Sequence, residues 1–305
     1  MSCSGRGSPE LTAADGGILL CVPRLVELPD RGRLIVATDL QGNLRDFERI
    51  ATLFETAAAT DPDGAVLVLT GDLVHGPEIP RPYWPEYLGS YYEADSTKLL
   101  QQAEQLAEQH PGRVFYLLGN HEHAHVGGPV VSKFFPNEAL RLERLMGRDM
   151  TRRIHEWFET WPLVAVARSA GLVMMHAAPN ATLRSADDLE RIRYRVTPPG
   201  AIQMVDEVLA EILWARTTST ERARAFLDAI GEGLRAVVFG HDVVREGHVV
   251  EREPLLCIST SFGCFDGDKL YLDWDLQTVA DSAAAVAARG LKPLYPDEEP
   301  VFRGT

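Results

Sequence analysis

The sequence predicts an α/β protein in which buried strands alternate with amphipathic helices. Three observations carry this. Five short apolar runs are nearly continuous and rich in Val, Leu and Ile, as strands covered on both faces are: 34–38, 65–70, 114–116, 172–175 and 236–239. The first is followed by Leu44, Phe47, Ile50 and Leu53 at helical spacing. Each run also hands on to a polar turn, and open α/β sheets keep their sites at the carboxyl ends of strands.

In chain order, Met1 to Gly16 is small and polar and is expected to be disordered. Gly17 to Leu28, interrupted by Pro23, suits an edge strand. Gly42-Asn43 opens the first helix. Pro77 to Tyr92, dense in proline and aromatics, reads equally as a substrate lid or a packed surface loop. Ser96 to His110 is a helix with Ser96 as its cap, and it returns the chain to Val114. Glu138 to Phe158 reads as one or two helices, leading to a strand at the sheet edge, Trp161 to Val166, that pairs with Gly171 to Met175. Val205 to Arg216 and Glu221 to Leu234 are helical, and Val249-Val250, Leu255 to Ile258 and Leu270 to Asp275 are strands. The tail from Val279, alanine-rich and then acidic, is expected to be peripheral. No repeat or linker interrupts the chain, so 1–305 reads as a single domain with its catalytic core at about 34–275.

A length of 305 residues with 45% hydrophobic content fits a soluble protein with a sizeable core. The formal charge of −14 argues against non-specific nucleic-acid binding, which needs a basic footprint. No apolar stretch approaches the about 18 residues that span a bilayer, and the start lacks a signal-peptide pattern, so a cytoplasmic location without a membrane partner is expected. Cys3, Cys21, Cys257 and Cys264 have neither metal-finger nor redox spacing and read as free thiols.

The turns hold the chemistry. The five runs lead to Asp39-Leu40-Gln41-Gly42, Gly71-Asp72-Leu73-Val74-His75-Gly76-Pro77, Gly119-Asn120-His121-Glu122, His176, and Gly240-His241. Carboxylate, amide and imidazole groups gathered this way are donors for hard or borderline divalent metals. In order and context these turns resemble the calcineurin-like metallophosphoesterases, and within them the phosphoprotein phosphatase (PPP) family, over residues 34–275. Glu122 after the motif histidine, and Asp242-Val243-Val244 after a lone His241, carry the narrower likeness. Leu183 to Ile192 is also similar to a Leu-x-x-x-Asp-Asp segment of the family.

The resemblance implies a four-layer α/β/β/α sandwich, two mixed β-sheets flanked by helices. It implies two divalent metal ions, manganese with iron or zinc as alternatives. Asp39, Gln41 and the bridging Asp72 would form the first site, and Asp72, Asn120, His176 and His241 the second. Cations about 3.5 to 4 Å apart clamp a phosphoryl group and acidify a water, whose hydroxide would attack phosphorus in line. His121 would protonate the departing alkoxide. Arg216, two residues after Trp214 as in bacterial and phage members, would clamp phosphate with its planar fork; an arginine favoured by a helix end is the competing reading. His123 and His125 read as supporting or exposed residues, because the resemblance assigns metal to the asparagine.

Two motifs depart from the family. Gln41 replaces a histidine ligand, which predicts a weak or empty first site that suits manganese or magnesium better than zinc. His75-Gly76-Pro77 replaces Asp-Arg-Gly, removing the carboxylate that orients the acid histidine and one phosphate-binding arginine; His75 would offer substrate a hydrogen bond or partial positive charge instead. The expected function is hydrolysis of phosphomonoesters, with phosphoprotein as a candidate substrate. The alternatives are a hydrolase of symmetric dinucleoside polyphosphates, resembling bis(5'-nucleosyl)-tetraphosphatase, and a lapsed relative that binds phosphate or metal without turnover.

Overall fold

Side-chain alternation within each strand sorts the apolar residues into two layers, because successive residues of a strand point to opposite faces. The computed structural model describes residues 10–12, 18–20, 23–195, 206–261 and 266–298. Strands β1 (Glu10–Thr12) and β2 (Ile18–Leu20) form a small antiparallel ribbon. The expectation of disorder for Met1 to Gly16 otherwise lies outside the described residues, as do Cys3, Cys21 and Cys264.

The core elements in chain order are β3 (Leu25–Glu27), β4 (Arg33–Ala37), α1 (Leu44–Thr60), β5 (Ala65–Leu69), α2 (Ser96–Gln109), β6 (Val114–Tyr116), the short α3 (Asn120–His123) and α4 (Glu138–Glu159). There follow β7 (Val164–Ala167), β8 (Leu172–Met175), α5 (Asp187–Glu190), α6 (Glu207–Trp214), α7 (Thr220–Ile230), β9 (Ala236–Phe239), β10 (His248–Arg252), β11 (Leu255–Ile258), β12 (Leu270–Asp275), α8 (Ala283–Gly290) and β13 (Leu291–Pro293). One mixed sheet has the order β13-β12-β4-β5-β6 and the other β10-β11-β9-β8-β7-β3. Leu34 and Val36 of β4, Val66 and Val68 of β5, Leu172 and Met174 of β8, and Ala236 and Val238 of β9 meet in one buried cluster between the sheets. Their alternates, among them Ile35, Leu67, Val173 and Val237, join the helical residues Phe47, Phe54, Leu100 and Phe226 in a second. Two mixed sheets flanked by helices is the architecture that the family resemblance implies.

Local chemistry sets the helix ends. Asn43 accepts from the Asp46 amide at the start of α1, at 3.2 Å. Asp95, rather than Ser96, caps α2 by accepting from the Lys98 amide at 2.8 Å. Gly147, at φ 74° and ψ 171°, breaks α4 into two segments, and α6 stops before Arg216.

Two expectations need correction. β7 is not the edge of its sheet, because β3 pairs parallel outside it, Leu25 against Val164. The tail after Val279 is not peripheral: Ala283 and Val286 of α8 are fully buried between the sheets, and β13 extends the other sheet beside β12. An alanine-rich helix looks dispensable in sequence because each residue buries little area, yet small side chains are what allow it to enter a gap between sheets.

Buried Asp46 fastens this tail. It accepts from Ser261 Oγ at 2.6 Å and Tyr295 Oη at 2.8 Å, and it pairs with Lys269. Replacing Asp46 with Ala leaves a partly buried ammonium and two hydroxyls without their acceptor. The expected loss is about 3 kcal/mol in urea unfolding; a loss under about 0.5 kcal/mol contradicts this role.

Candidate active site

The parallel strands β4, β5 and β6 of one sheet and β8 and β9 of the other deliver the five polar turns to neighbouring positions. The turns are tight. Asp39, Gln41, Asp72, His75 and His241 all have left-handed backbones, with φ of 52°, 43°, 56°, 67° and 67°. Such strain in non-glycine residues persists only where surrounding contacts over-determine it, and it clusters at functional sites.

Glu122 supplies much of that determination. Fully buried, its carboxylate accepts from the amides of Asp72 at 2.8 Å, Leu73 at 2.8 Å, Val74 at 3.3 Å and Gly119 at 3.1 Å. Burial and the neighbouring Asp72 push the Glu122 carboxyl up to about 8, while the backbone donors pull it down. Gly119 is obligatory here, since a Cβ would lie 2.4 Å from Asp72 Oδ1 and 2.7 Å from Glu122 Oε2. The Asp72 and Asn120 turns are thereby locked together.

Four predicted site residues converge. His176 Nε2 lies 2.9 Å from Asn120 Oδ1, 3.1 Å from His241 Nδ1 and 3.5 Å from Asp72 Oδ1. His176 Nδ1 donates to the Thr70 carbonyl at 2.9 Å, which fixes the tautomer and leaves the Nε2 lone pair facing the cluster. Burial holds both His176 and His241 down at about 3, so both imidazoles are neutral, as ligands must be. Desolvation pushes Asp72 up to about 7. Neutral imidazoles, a carboxylate and an amide oxygen on one point fit a divalent cation well.

The first predicted metal site is a different matter. Asp39 accepts the His241 amide with both oxygens, at 3.2 and 3.0 Å, and burial and Asp72 raise its carboxyl well above the usual range. Gln41 does not present a free oxygen: its Oε1 accepts from the ammonium of Lys133 at 2.6 Å. A metal on that oxygen would be repelled by the lysine charge, so the Gln41 group does not fit a resident cation. Tyr92, at the end of the aromatic segment, donates its hydroxyl to the Gln41 carbonyl at 3.1 Å and ties that segment to the site.

Arg216 stands just past α6 with its side chain 60% exposed; Nη1 donates to Asp242 Oδ1 at 2.6 Å and to the His241 carbonyl at 3.3 Å. Its charge lowers the Asp72 carboxyl and both site histidines, so it belongs to the same electrostatic unit.

His75 is where expectation and structure part. It is 3% exposed, and both ring nitrogens face other imidazoles: Nδ1 lies 3.0 Å from His121 Nδ1 and Nε2 lies 2.9 Å from His125 Nε2. Burial pushes its pKa well below the ordinary value, so it carries no positive charge to substrate. The line continues from His125 Nδ1 to Glu143 Oε1 at 3.0 Å, and His155 Nε2 meets the same oxygen at 2.9 Å. A carboxylate only accepts, so His125 donates from Nδ1, His75 from Nε2 and, with all three neutral, His121 from Nδ1. His125 is thus a buried partner of the site. His123 sits aside, its Nε2 on the Tyr194 carbonyl at 3.0 Å.

Lys133, Glu138 and Glu143 enter the site region without any signal in their local sequence. The pairings of Glu143 hold its carboxyl down at about 2, against an ordinary 4.5. A depressed folded value gives stability that is present above pH about 4.5 and lost as pH falls toward about 2. Glu143→Gln is expected to cost about 1 kcal/mol in urea unfolding at neutral pH, with the gap to wild type closing as pH falls below about 4. A gap unchanged by acid contradicts the pairing.

The calcineurin-like phosphoesterase family profile matches residues 32–245. Among solved structures, a protein serine/threonine phosphatase from Saccharomyces cerevisiae with similarity to human phosphatase PP5 is 18% identical, with a TM-score of 0.56, covering 82% of this chain and 76% of its own. The cold-active protein-tyrosine phosphatase of a psychrophile Shewanella is 15% identical, with a TM-score of 0.51, covering 86% and 82%. At such identities these likenesses concern the fold. No curated protein matches the sequence. The profile spans more than half of the chain, and this protein belongs to the calcineurin-like phosphoesterase family of metal-dependent hydrolases.

Proposed function

We propose that the chain is a phosphomonoesterase of the PPP type, with phosphoprotein among its substrates, working at a metal held by Asp72, Asn120, His176 and His241. The observation that carries this is the convergence of those donors on His176 Nε2, with the other His176 nitrogen tied to Thr70. A divalent ion there, manganese in our reading, would supply Lewis acidity toward phosphoryl oxygen and acidify a water.

The remaining roles fall to side chains. Arg216, reachable from solvent and anchored by Asp242, binds the phosphoryl oxygens. Lys133 brings a fixed positive charge to the Asp39 and Asp72 carboxylates, where a first metal would otherwise act. His121 is the leaving-group acid, with Nε2 3.6 Å from Asp72 Oδ2. A neutral His121 that donates from Nδ1 has no hydrogen on Nε2 to give. Donation needs either a second proton or another group in place of the Nδ1 hydrogen.

A second reading, a binding protein without turnover, is favoured by the contact of Lys133 with Gln41. Release of p-nitrophenol from its phosphate monoester by the manganese-loaded protein separates the two. We expect turnover, a fall of at least about 100-fold in Asp72→Asn, and a rise in KM of about tenfold in Arg216→Ala for one lost charge-assisted contact. Metal bound with no turnover on a panel of phosphomonoesters overturns the enzyme reading.

A further inference from the structure

We propose a separate cation site formed by His75 Nδ1, His121 Nδ1 and Glu138 Oε2, beside the Asp72 cluster and sharing no ligand with it. The three donors are mutual neighbours: His75 Nδ1 to His121 Nδ1 is 3.0 Å, His75 Nδ1 to Glu138 Oε2 is 3.7 Å and His121 Nδ1 to Glu138 Oε2 is 3.9 Å. A point equidistant from all three lies about 2.1 Å from each, which is the bond length of zinc to imidazole nitrogen or carboxylate oxygen.

The polar contacts of the region point the same way. Glu138 is 2% exposed, and among the described residues its Oε2 has no hydrogen-bond partner, although its Oε1 accepts from the Phe134 amide at 2.6 Å. A buried carboxylate oxygen aimed at two imidazole nitrogens and bonded to nothing is costly unless something positive sits between them. A cation there would replace the contact between the two Nδ1 atoms and leave the outer ones in place. His75 keeps its Nε2–H on His125 Nε2, and His125 keeps its Nδ1–H on Glu143, so each outer hydrogen bond holds a ligand ring in place. The left-handed backbone of His75, at φ 67°, is what turns this ring inward.

Two imidazoles and one carboxylate are the donor set of a three-ligand zinc site with an open position. The consequence for His121 is specific. With Nδ1 on the cation, its hydrogen must reside on Nε2, the nitrogen that faces Asp72. The site thus fixes the donor form of His121 that the Glu143 line alone does not supply. Its existence does not depend on which phosphoester, if any, is hydrolysed.

The test is zinc stoichiometry on the full chain, stripped with chelator and dialysed against buffered Zn2+. Wild type is expected to bind one more equivalent than either Glu138→Gln or His75→Asn; asparagine tolerates the left-handed backbone. Variants that bind as much zinc as wild type overturn the site. Should either variant misfold, a zinc-edge anomalous map of zinc-soaked wild-type crystals decides it. A peak between His75, His121 and Glu138 is expected, and its absence with zinc present at His176 and His241 overturns the proposal. Since zinc is counted without substrate, a missing equivalent in an active phosphoesterase removes this site and leaves the functional reading standing.

Discussion

The site depends on one buried carboxylate. Glu122 collects amide hydrogens from the Asp72 turn and from Gly119, so the ends of β5 and β6 move as one piece. Asp72 is held in turn, because its Oδ1 accepts from the His121 amide at 3.1 Å. The second sheet meets this piece through His176, which donates to Thr70 at the end of β5. Without that clamp, residues at φ of 56° and 67° would have little reason to hold those conformations, and the donors would not share a focus.

The unusual residues around this piece are coupled to one another. Gln41 offers an amide oxygen where imidazole is expected, and Lys133 takes it. His75 stands where a carboxylate is expected, and it reaches inward to His121 and outward to His125. The missing negative charge is not lost but moved: Glu138 lies beside both imidazoles, and Glu143 lies at the far end of the line. A lysine near the Asp39 side and a carboxylate near the His121 side redistribute charge over a few ångströms while the Asp72 cluster stays intact.

Much of this was legible in sequence, for a physical reason. A short apolar run that stops at glycine and a polar turn reports a strand end, and the ends of parallel strands are adjacent in space, so Asp39, Asp72, Asn120, His176 and His241 could be grouped before any fold was known. Lys133, Glu138 and Glu143 could not. They come from a loop and the start of α4, whose approach to the site is set by tertiary packing rather than by a local pattern. The same blindness hid the tail, where Ala283 and Val286 look like a weak surface helix until the gap between the sheets that receives them is seen.

The most direct measurement of the account is native-state hydrogen exchange at the amides of Asp72, Leu73, Val74 and Gly119. They lie in turns, which ordinarily exchange fast, yet the Glu122 carboxylate makes them interior hydrogen bonds. Protection comparable with that of the central strands β4 and β5 is expected. Exchange at the rate of an open loop would show that Glu122 does not hold the turns together, and the explanation of the site built on that clamp would fail.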